Sequence, residues 1–379
     1  MIVNPIALAQ QLIRLPSVTP IEAGSLDLAQ QTLEALGFRV QRMKFGEVDN
    51  LYARLGDKRP NFCFAGHLDV VPPGEGWSED PFSGAIKDGM LYGRGASDMK
   101  SAIAAMLAAC GDFLKENKGA FEGSISFLLT CDEEGPGVDG TVKVLEALAG
   151  EGEILDHCLV GEPTSAERFG DLVKNGRRGS MNCVITMRGR QGHVAYPKLA
   201  ANPVTPLVET LADLKARVLD EGAPGFDPSN LEITSIDVGN PTTNIIPGQA
   251  QARLNIRFNT AHKGEDLQAW IETIAREAAA RHGAEAEIAT TISGRPFYTA
   301  PGEFTALVQK ATEDVLGAPA ALSTSGGTSD ARFISQYCDV AELGMLNATA
   351  HKVDECVAIE DIKALTRIYQ TILRLYFKA

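Results

Sequence analysis

The residues best suited to chemistry begin with His67 and Asp69, which follow the apolar run 62–65. This run is typical of a buried strand, and Gly66 is expected to end it sharply. In an extended backbone, side chains two residues apart point the same way, so the imidazole and the carboxylate would lie together. A carboxylate behind a histidine is a common support for a metal-bound imidazole. A histidine near a strand end is more often structural, so other residues must decide.

Further polar side chains follow predicted strands or lie in loops, and they are Asp98, Glu133, Glu134, Glu162 and His351. Each alone is an ordinary loop residue, but at one rim of a sheet all of them could reach one cavity. Two imidazoles and several carboxylates form a nitrogen and oxygen set suited to zinc or a similar divalent ion. Of two adjacent glutamates, one can bind a metal while the other stays free as a base.

Strands and helices alternate in the first half of the chain. The predicted helices cover about 5–15, 25–36, 99–114 and 141–148, and the predicted strands cover 38–43, 50–55, 62–65, 124–130 and 158–160. Polar residues repeatedly follow the strands. This pattern predicts an α/β fold with a central, largely parallel sheet flanked by helices.

The order of elements changes after Arg177. A strand (180–187), a helix (204–219), two strands (231–238 and 250–258), a helix (265–281) and a strand (286–292) follow. This βαββαβ order is that of a ferredoxin-like domain. A helix at 303–316, a strand at 339–343 and a terminal helix then return to the first domain. The sequence therefore predicts a catalytic domain of residues 1–177 and 294–379, and an inserted dimerisation or lid domain of residues 178–293.

Composition narrows the class of protein. A chain of 379 residues suggests two domains, and its net charge of −14 disfavours binding to nucleic acid or anionic membranes. Seven cysteines without a Cys-x-x-Cys pair predict reduced thiols in a cytoplasmic protein. The first residues show no export signal, and no apolar run is long enough to cross a bilayer.

Four blocks of sequence carry a resemblance to a known family. They are 66–72 (GHLDVVP), 93–100 (GRGASDMK), 132–135 (DEEG) and 161–164 (GEPT). Together they resemble the two-zinc aminoacylase/carboxypeptidase family over essentially the whole chain. The resemblance implies two divalent ions per subunit, most readily zinc, with cobalt also fitting. It also implies a homodimer that hydrolyses an amide bond of a small molecule.

The resemblance also implies a role for each site residue. His67 and Glu162 would hold one ion, Glu134 and His351 the other, and Asp98 would bridge them. Asp69 would orient His67, and Glu133 would be the general base that takes a proton from water and returns it to the leaving amine. His193, supplied by the partner subunit, would stabilise the oxyanion.

Four more blocks bear on the substrate, namely 174–180 (KNGRRGS), 189–197 (GRQGHVAYP), 243–247 (TNIIP) and 325–333 (SGGTSDARF). They imply hydrolysis of N-succinyl-LL-2,6-diaminopimelate to succinate and LL-2,6-diaminopimelate in lysine and diaminopimelate biosynthesis. Ala331 stands where the family pattern has glycine. The substrate has three carboxylates, and guanidinium groups bind carboxylates well. The expected substrate contacts are Arg178, Tyr196, Asn244, Arg257, Ser325, Gly326, Thr328 and Asn347.

Alternatives remain open at this point. The metal-binding blocks fit an N-acetylornithine deacetylase or a broader aminoacylase or dipeptidase equally well. Arg178 and Arg257 could instead form ordinary surface ion pairs. A catalytically silent metal-binding protein is a remote alternative, because it would be expected to have lost the base or a ligand.

Overall fold

The computed structural model describes residues 2–378, which form two compact units. The first unit contains residues 2–175, Thr299–Ser323 and 329–378, and the second contains Gly176–Tyr298 and Thr324–Thr328. The chain therefore passes from the first unit to the second between Asn175 and Gly176, close to the change at Arg177 that the order of elements indicated. It also leaves the first unit a second time, for the short segment Thr324–Thr328, which the sequence did not indicate.

The first unit is built on a mixed, mostly parallel sheet of eight strands. Their spatial order is Arg39–Phe45, Val48–Leu55, Ser124–Thr130, Asn61–His67, His157–Val160, Asp339–Glu342, Leu172–Lys174 and Ala321–Ser323. The three strands Ser124–Thr130, Asn61–His67 and His157–Val160 run parallel and adjacent in its middle. A small sheet pairs Cys356–Ala358 with Met90–Tyr92 and then Ile86–Lys87.

The helices of the first unit are Pro5–Ile13, Ser25–Ala35, Ser101–Glu116, Thr141–Gly150, Glu303–Leu316, Ala331–Ile334 and Ile359–Phe377. The helix Ser101–Glu116 is buried along most of its length and packs against Pro5–Ile13 and Ile359–Phe377. Its small side chains, such as Ala104 and Ala108, allow this close approach. Central strands covered by helices fit the buried, apolar sequences of those strands.

The predicted end of the first site-bearing strand was wrong by two residues. The sequence indicated that Gly66 ends the strand, but the strand is Asn61–His67, and Gly66 stays paired with Leu129. Gly66 is needed for close packing instead. A Cβ atom there would lie 2.2 Å from the Cε atom of Met99. His67 is consequently the last residue of the strand and does not follow it.

The second unit is a four-stranded antiparallel sheet with two helices. Its strands lie in the order Asn230–Asp237, Gln249–Phe258, Gly179–Arg188 and Glu285–Gly294, and its helices are Val204–Ala216 and Gly264–Arg281. Alternate residues of Gln249–Phe258 are buried, and these form a core of their own. The ferredoxin-like order predicted from the sequence is confirmed. Two short ribbons pair Gly192–His193 with Ile245–Ile246 and Gly176–Arg177 with Phe297–Tyr298.

Two further features bear on the sequence analysis. All seven cysteines have free thiols, and five of them are buried. Among residues 2–378, no helix is both long enough and apolar enough to cross a membrane.

Candidate metal centre

Three adjacent parallel strands deliver most of the site. His67 ends one strand, Glu133 and Glu134 follow Ser124–Thr130, and Glu162 follows His157–Val160. Because the carboxyl ends of parallel strands meet at one edge of the sheet, these side chains converge there. The first unit therefore gathers at this edge the polar groups that the sequence analysis selected.

Asp98 lies between the two histidines of the site. Its Oδ1 atom is 3.1 Å from Nε2 of His67, and its Oδ2 atom is 3.3 Å from Nε2 of His351. Asp98 belongs to the short turn Ala96–Lys100, which begins after Gly95 in the left-handed conformation (φ +87°). Each oxygen of the Asp98 carboxylate thus faces a different imidazole.

The remaining carboxylates divide between the two imidazoles. Glu134 Oε1 is 2.8 Å from Nε2 of His351, and Glu162 Oε1 is 3.8 Å from Nε2 of His67. Donor atoms of His67, Asp98 and Glu134 lie within 4.8 Å of one another, and so do those of His67, Glu133 and Glu162. His67 is buried, whereas His351 lies near the surface with half of its side chain exposed. These two groups share His67, and Asp98 also faces the more exposed His351.

The orientation of the His67 ring follows from its second nitrogen. Nδ1 lies 2.9 Å from the backbone carbonyl oxygen of Asp69, which can only accept a hydrogen bond. Nδ1 therefore carries a proton, and Nε2 faces Asp98 and Glu162. The sequence analysis assigned the orientation of His67 to the Asp69 carboxylate, but the nearest carboxylate oxygen is 3.7 Å from Nδ1. That carboxylate instead accepts hydrogen bonds from the backbone N–H groups of Glu133 (3.4 Å) and Glu134 (3.1 Å).

The electrostatics of the site are those of crowded acids and imidazoles. Hydrogen bonds to Asp98 and Glu134 raise the pKa of His351 to about 10. Burial acts to raise the pKa of Asp98, but hydrogen bonds from His351 and His67 outweigh it and hold that pKa well below its usual range. Burial of the carboxyl group also raises the pKa of Asp69 to about 6. Imidazole nitrogens and carboxylate oxygens in this arrangement form a donor set that fits divalent metal ions.

Glu133 has the surroundings of a base. The atoms around it remove water from its carboxyl group, and this desolvation raises its pKa to about 8. Asp330 also contributes to this increase through its charge. One of the carboxylate oxygens of Glu133 lies within 4.8 Å of donor atoms of His67 and Glu162. Desolvation therefore increases the proton affinity of this carboxyl group, which is a property that a general base needs.

Arg178 and Arg257 lie together in the second unit. Burial and the charge of Arg178 both lower the pKa of Arg257. Arg178 donates a hydrogen bond to the side-chain oxygen of Asn230 at 3.0 Å. Among the residues that the structure describes, neither guanidinium has a carboxylate within 4.0 Å. These two arginines therefore do not form ordinary surface ion pairs within the described part of this chain.

His193 is exposed on a short ribbon of the second unit. Its Nδ1 atom accepts a hydrogen bond from the backbone N–H of Ala195 at 3.0 Å, so the ring proton is on Nε2. The ring lies 5.7 Å from that of Tyr196, and the backbone carbonyl of Asn244 accepts the N–H of Val194. The ribbon thus presents an N–H donor to its surroundings.

The other predicted substrate contacts lie in two separate segments. Ser325, Gly326 and Thr328 belong to the segment Thr324–Thr328 of the second unit, where Arg177 donates to the carbonyl oxygen of Gly327 at 3.0 Å. Asn347 is exposed in the first unit, at the start of the turn Asn347–Thr349 that precedes His351.

One buried acid at the site, Glu355, was not predicted from the sequence. Glu355 accepts hydrogen bonds from Arg94 and from the backbone of the turn that carries Asp98. The available signal was its position four residues after His351, in the segment 351–356 (HKVDEC). A single glutamate among several loop acids was not distinctive enough to select.

Comparison with known proteins places the chain in a family. The profile described as peptidase family M20/M25/M40 matches residues 63–375. Succinyl-diaminopimelate desuccinylase of Caulobacter vibrioides (strain NA1000 / CB15N) is 59% identical over 379 residues, which cover 100% of this chain and 97% of the relative. The enzyme of the same name from Maricaulis maris (strain MCS10) is 56% identical over 377 residues, covering 99% and 96%. The crystal structure of aminopeptidase PepT from Bacillus cereus ATCC 10987 covers 98% of each chain, with a TM-score of 0.79 and 20% identity. The chain belongs to peptidase family M20/M25/M40.

Proposed function

We propose that this chain hydrolyses N-succinyl-LL-2,6-diaminopimelate to succinate and LL-2,6-diaminopimelate. Two observations together carry the proposal. The Asp98 carboxylate lies between the imidazoles of His67 and His351, and the chain has 59% identity to a succinyl-diaminopimelate desuccinylase over its whole length. The reaction would serve lysine and diaminopimelate biosynthesis. Reduced thiols fit a cytoplasmic location, which is part of the proposal.

Two divalent ions would be held by the converging side chains. His67 and Glu162 would bind the deeper ion, Glu134 and His351 the outer ion, and Asp98 would bridge them. Zinc is the proposed resident ion because imidazole and carboxylate are its usual ligands, and cobalt would also fit. When bound, the ions would make water more acidic and polarise the amide carbonyl.

The chain's own residues would move the proton. Glu133 takes a proton from the attacking water, whose oxygen forms a bond to the amide carbon. The carbon–nitrogen bond then breaks, and Glu133 returns the proton to the leaving amine. Asp69 holds Glu133 through the backbone N–H of that residue. Nε2–H of His193 would donate to the oxyanion that forms on the carbonyl oxygen.

The carboxylates of the substrate require cations and donors from a protein that is acidic overall. Arg178 and Arg257 are suited to this task because they lie side by side and have no carboxylate partner among the described residues. A single substrate carboxylate between them would relieve their mutual repulsion. Ser325, Gly326, Thr328, Tyr196, Asn244 and Asn347 would add hydrogen bonds.

A homodimer formed by the second unit is part of this proposal. The strand Asn230–Asp237 is at one edge of its sheet, and Tyr196, Leu199, Val208 and Ile236 expose apolar surface on the same unit. Such surfaces are typical of interfaces. In the dimer, His193 of the partner subunit would serve the site of the first.

A mixture of two inactive variants tests this exchange. His193→Ala and Glu133→Gln proteins are unfolded together and refolded as mixed dimers. If His193 acts in trans, each mixed dimer contains one complete site out of two. About half of the dimers are mixed, so the whole mixture should have about a quarter of the activity of the same amount of wild-type protein. Mixtures with no activity, or a fully active monomer in sedimentation, would contradict the exchange.

The substrate assignment is tested by direct comparison. Turnover of N-succinyl-LL-2,6-diaminopimelate and of N-acetylornithine is measured on the same zinc-loaded preparation. The proposal expects a higher kcat/KM for the succinyl substrate. Faster hydrolysis of the acetyl substrate would overturn it.

A further inference from the structure

Glu355 is a completely buried acid that no step of the proposed reaction uses. Its Oε1 atom accepts hydrogen bonds from the backbone N–H groups of Ser97 (2.7 Å) and Asp98 (3.0 Å). Its Oε2 atom accepts from the backbone N–H of Gly95 (3.0 Å) and from Arg94 Nη1 (2.7 Å). Each oxygen therefore has two donors, and all four come from the residues 94–98 that end at Asp98.

Glu355 also belongs to the segment that carries the outer histidine. His351 and Asp354 both have positive φ angles (60° and 58°), which residues with side chains seldom adopt. Such a conformation persists only where the surrounding structure fixes it. Arg94 supplies a second link, because Nη1 also donates to the carbonyl oxygen of Lys352 at 3.3 Å. The Arg94–Glu355 pair thus holds 351–355 against the turn of Asp98.

We propose that Glu355 is a positioning residue that sets the distance between Asp98 and His351, and thereby the affinity for the outer metal ion. The inference rests on the two-ion site proposed above. Removal of a group that holds metal ligands in place commonly lowers metal affinity about 10- to 100-fold. Glu355 does this for two ligands at once, since one comes from its own segment and the other from the turn that it binds.

The variant Glu355→Gln tests the proposal because it keeps the shape of the side chain. One of its two terminal atoms becomes an NH₂ group, and in either orientation that group faces two donors. Glu355→Asp is the second variant, because it keeps the charge but cannot reach all four donors. Asp220→Asn is the matched control, since Asp220 also accepts backbone N–H groups, from Gly222 and Ser229, and lies in the second unit, which contains no proposed metal ligand.

The main measurement is calorimetric titration of the metal-free proteins with zinc, together with thermal unfolding of the metal-free forms and kcat and KM at saturating zinc. We expect two binding events in the wild type and in Asp220→Asn. In Glu355→Gln, the affinity of the weaker event falls by about tenfold or more, with a smaller fall in Glu355→Asp. We expect kcat to fall while KM stays within about twofold, because substrate contacts are unchanged.

The outcomes separate this inference from the proposed function. A wild type that binds no second ion would overturn the two-ion site and this inference with it. Two ions in the wild type, and unchanged affinities in both Glu355 variants, would overturn the role of Glu355 alone. If neither variant folds, a crystal structure of the zinc-loaded wild type decides. Glu355 must still bond to the N–H groups of Ser97 and Asp98 there, and a Glu355 turned away from them would refute the proposal.

Discussion

The Oδ2 atom of Asp69 accepts a hydrogen bond from the backbone N–H of Glu134 at 3.1 Å. The Asp69 carboxylate therefore joins the end of the strand Asn61–His67 to the turn that follows the neighbouring strand Ser124–Thr130. This turn carries the proposed base Glu133 and the proposed metal ligand Glu134. The imidazole of His67 is held mainly by the backbone carbonyl of Asp69. Asp69 thus supports the site through two different groups.

Replacing Asp69 with asparagine should disturb the turn that carries Glu133 and Glu134 more than it disturbs the orientation of His67. The carbonyl that binds His67 is retained, but the new NH₂ group would face the N–H of Glu133 or Glu134. We expect kcat to fall by about tenfold or more, with zinc affinity falling as well. Steady-state kinetics and zinc titration would measure both. Asp156→Asn is the control, because Asp156 accepts the N–H of Asn61 at the other end of the same strand. Equal effects of the two substitutions would contradict a specific role of Asp69.

Glu133→Gln should separate metal binding from proton transfer. The variant should keep its zinc content, because the ligands are intact, and should lose at least about a hundredfold in kcat. Elemental analysis and turnover on the succinyl substrate provide the two readouts. Glu122→Gln, an exposed glutamate paired with Lys58, should be fully active. Activity of Glu133→Gln within twofold of the wild type would contradict the role of Glu133 as the general base.

Arg257→Ala should weaken substrate binding without changing metal content. A hydrogen bond to a charged group contributes about 1.5–3 kcal/mol, which corresponds to roughly a 10- to 100-fold loss in kcat/KM. Arg253→Ala is a matched control, because Arg253 is an exposed arginine on the same face of the same strand. The loss should be larger for the tricarboxylate substrate than for N-acetylornithine. An identical loss on both substrates would argue against a contact with a carboxylate that only the succinyl substrate carries.

The second unit should show a pH-dependent contribution from Asp220. Partial burial opposes the shift, but hydrogen bonds from Ser229 and Asn259 lower the pKa of Asp220 to about 2, from an ordinary value of 3.8. The carboxylate therefore stabilises the fold above about pH 4, and this stabilisation disappears as the pH falls toward 2. Asp220→Asn should lower the free energy of unfolding at pH 7 by about 1–3 kcal/mol.

Urea unfolding of the wild type and Asp220→Asn at several pH values tests this expectation. The difference between the two proteins should become smaller between pH 4 and pH 3. Asp213→Asn, at an exposed position of the helix Val204–Ala216, should match the wild type throughout. A difference that stays constant with pH would show that the charge of Asp220 is not the cause.

Much of the architecture could be predicted from the chain itself. Alternating apolar and polar residues in the second unit and buried apolar runs in the first have distinct periodicities, so strands such as Ser124–Thr130 were placed to the residue. Short strands such as Ile86–Lys87 and Met90–Tyr92 were missed because they contain too few residues to show a period. Gly66 was misread because a glycine that ends a strand and one that admits a neighbouring side chain are identical in sequence.

The residues of the site likewise divide into those that could be predicted from the sequence and those that could not. His67, Asp98 and Glu162 could be selected because each follows a predicted strand or opens a predicted helix. Glu355 and the backbone contacts of Asp69 could not, because they depend on which loops meet in space. Hydrogen bonds between segments more than 250 residues apart, such as Glu355 with Ser97, leave no periodic signal in the sequence.

The central claim is that two divalent ions, bridged by Asp98, are required to cut the amide bond. The most direct test is to remove all metal from the purified protein and to measure hydrolysis of N-succinyl-LL-2,6-diaminopimelate as zinc is added back in known amounts. The account predicts no turnover without metal and full turnover only when two ions are bound per chain. Undiminished hydrolysis by the metal-free protein would contradict it.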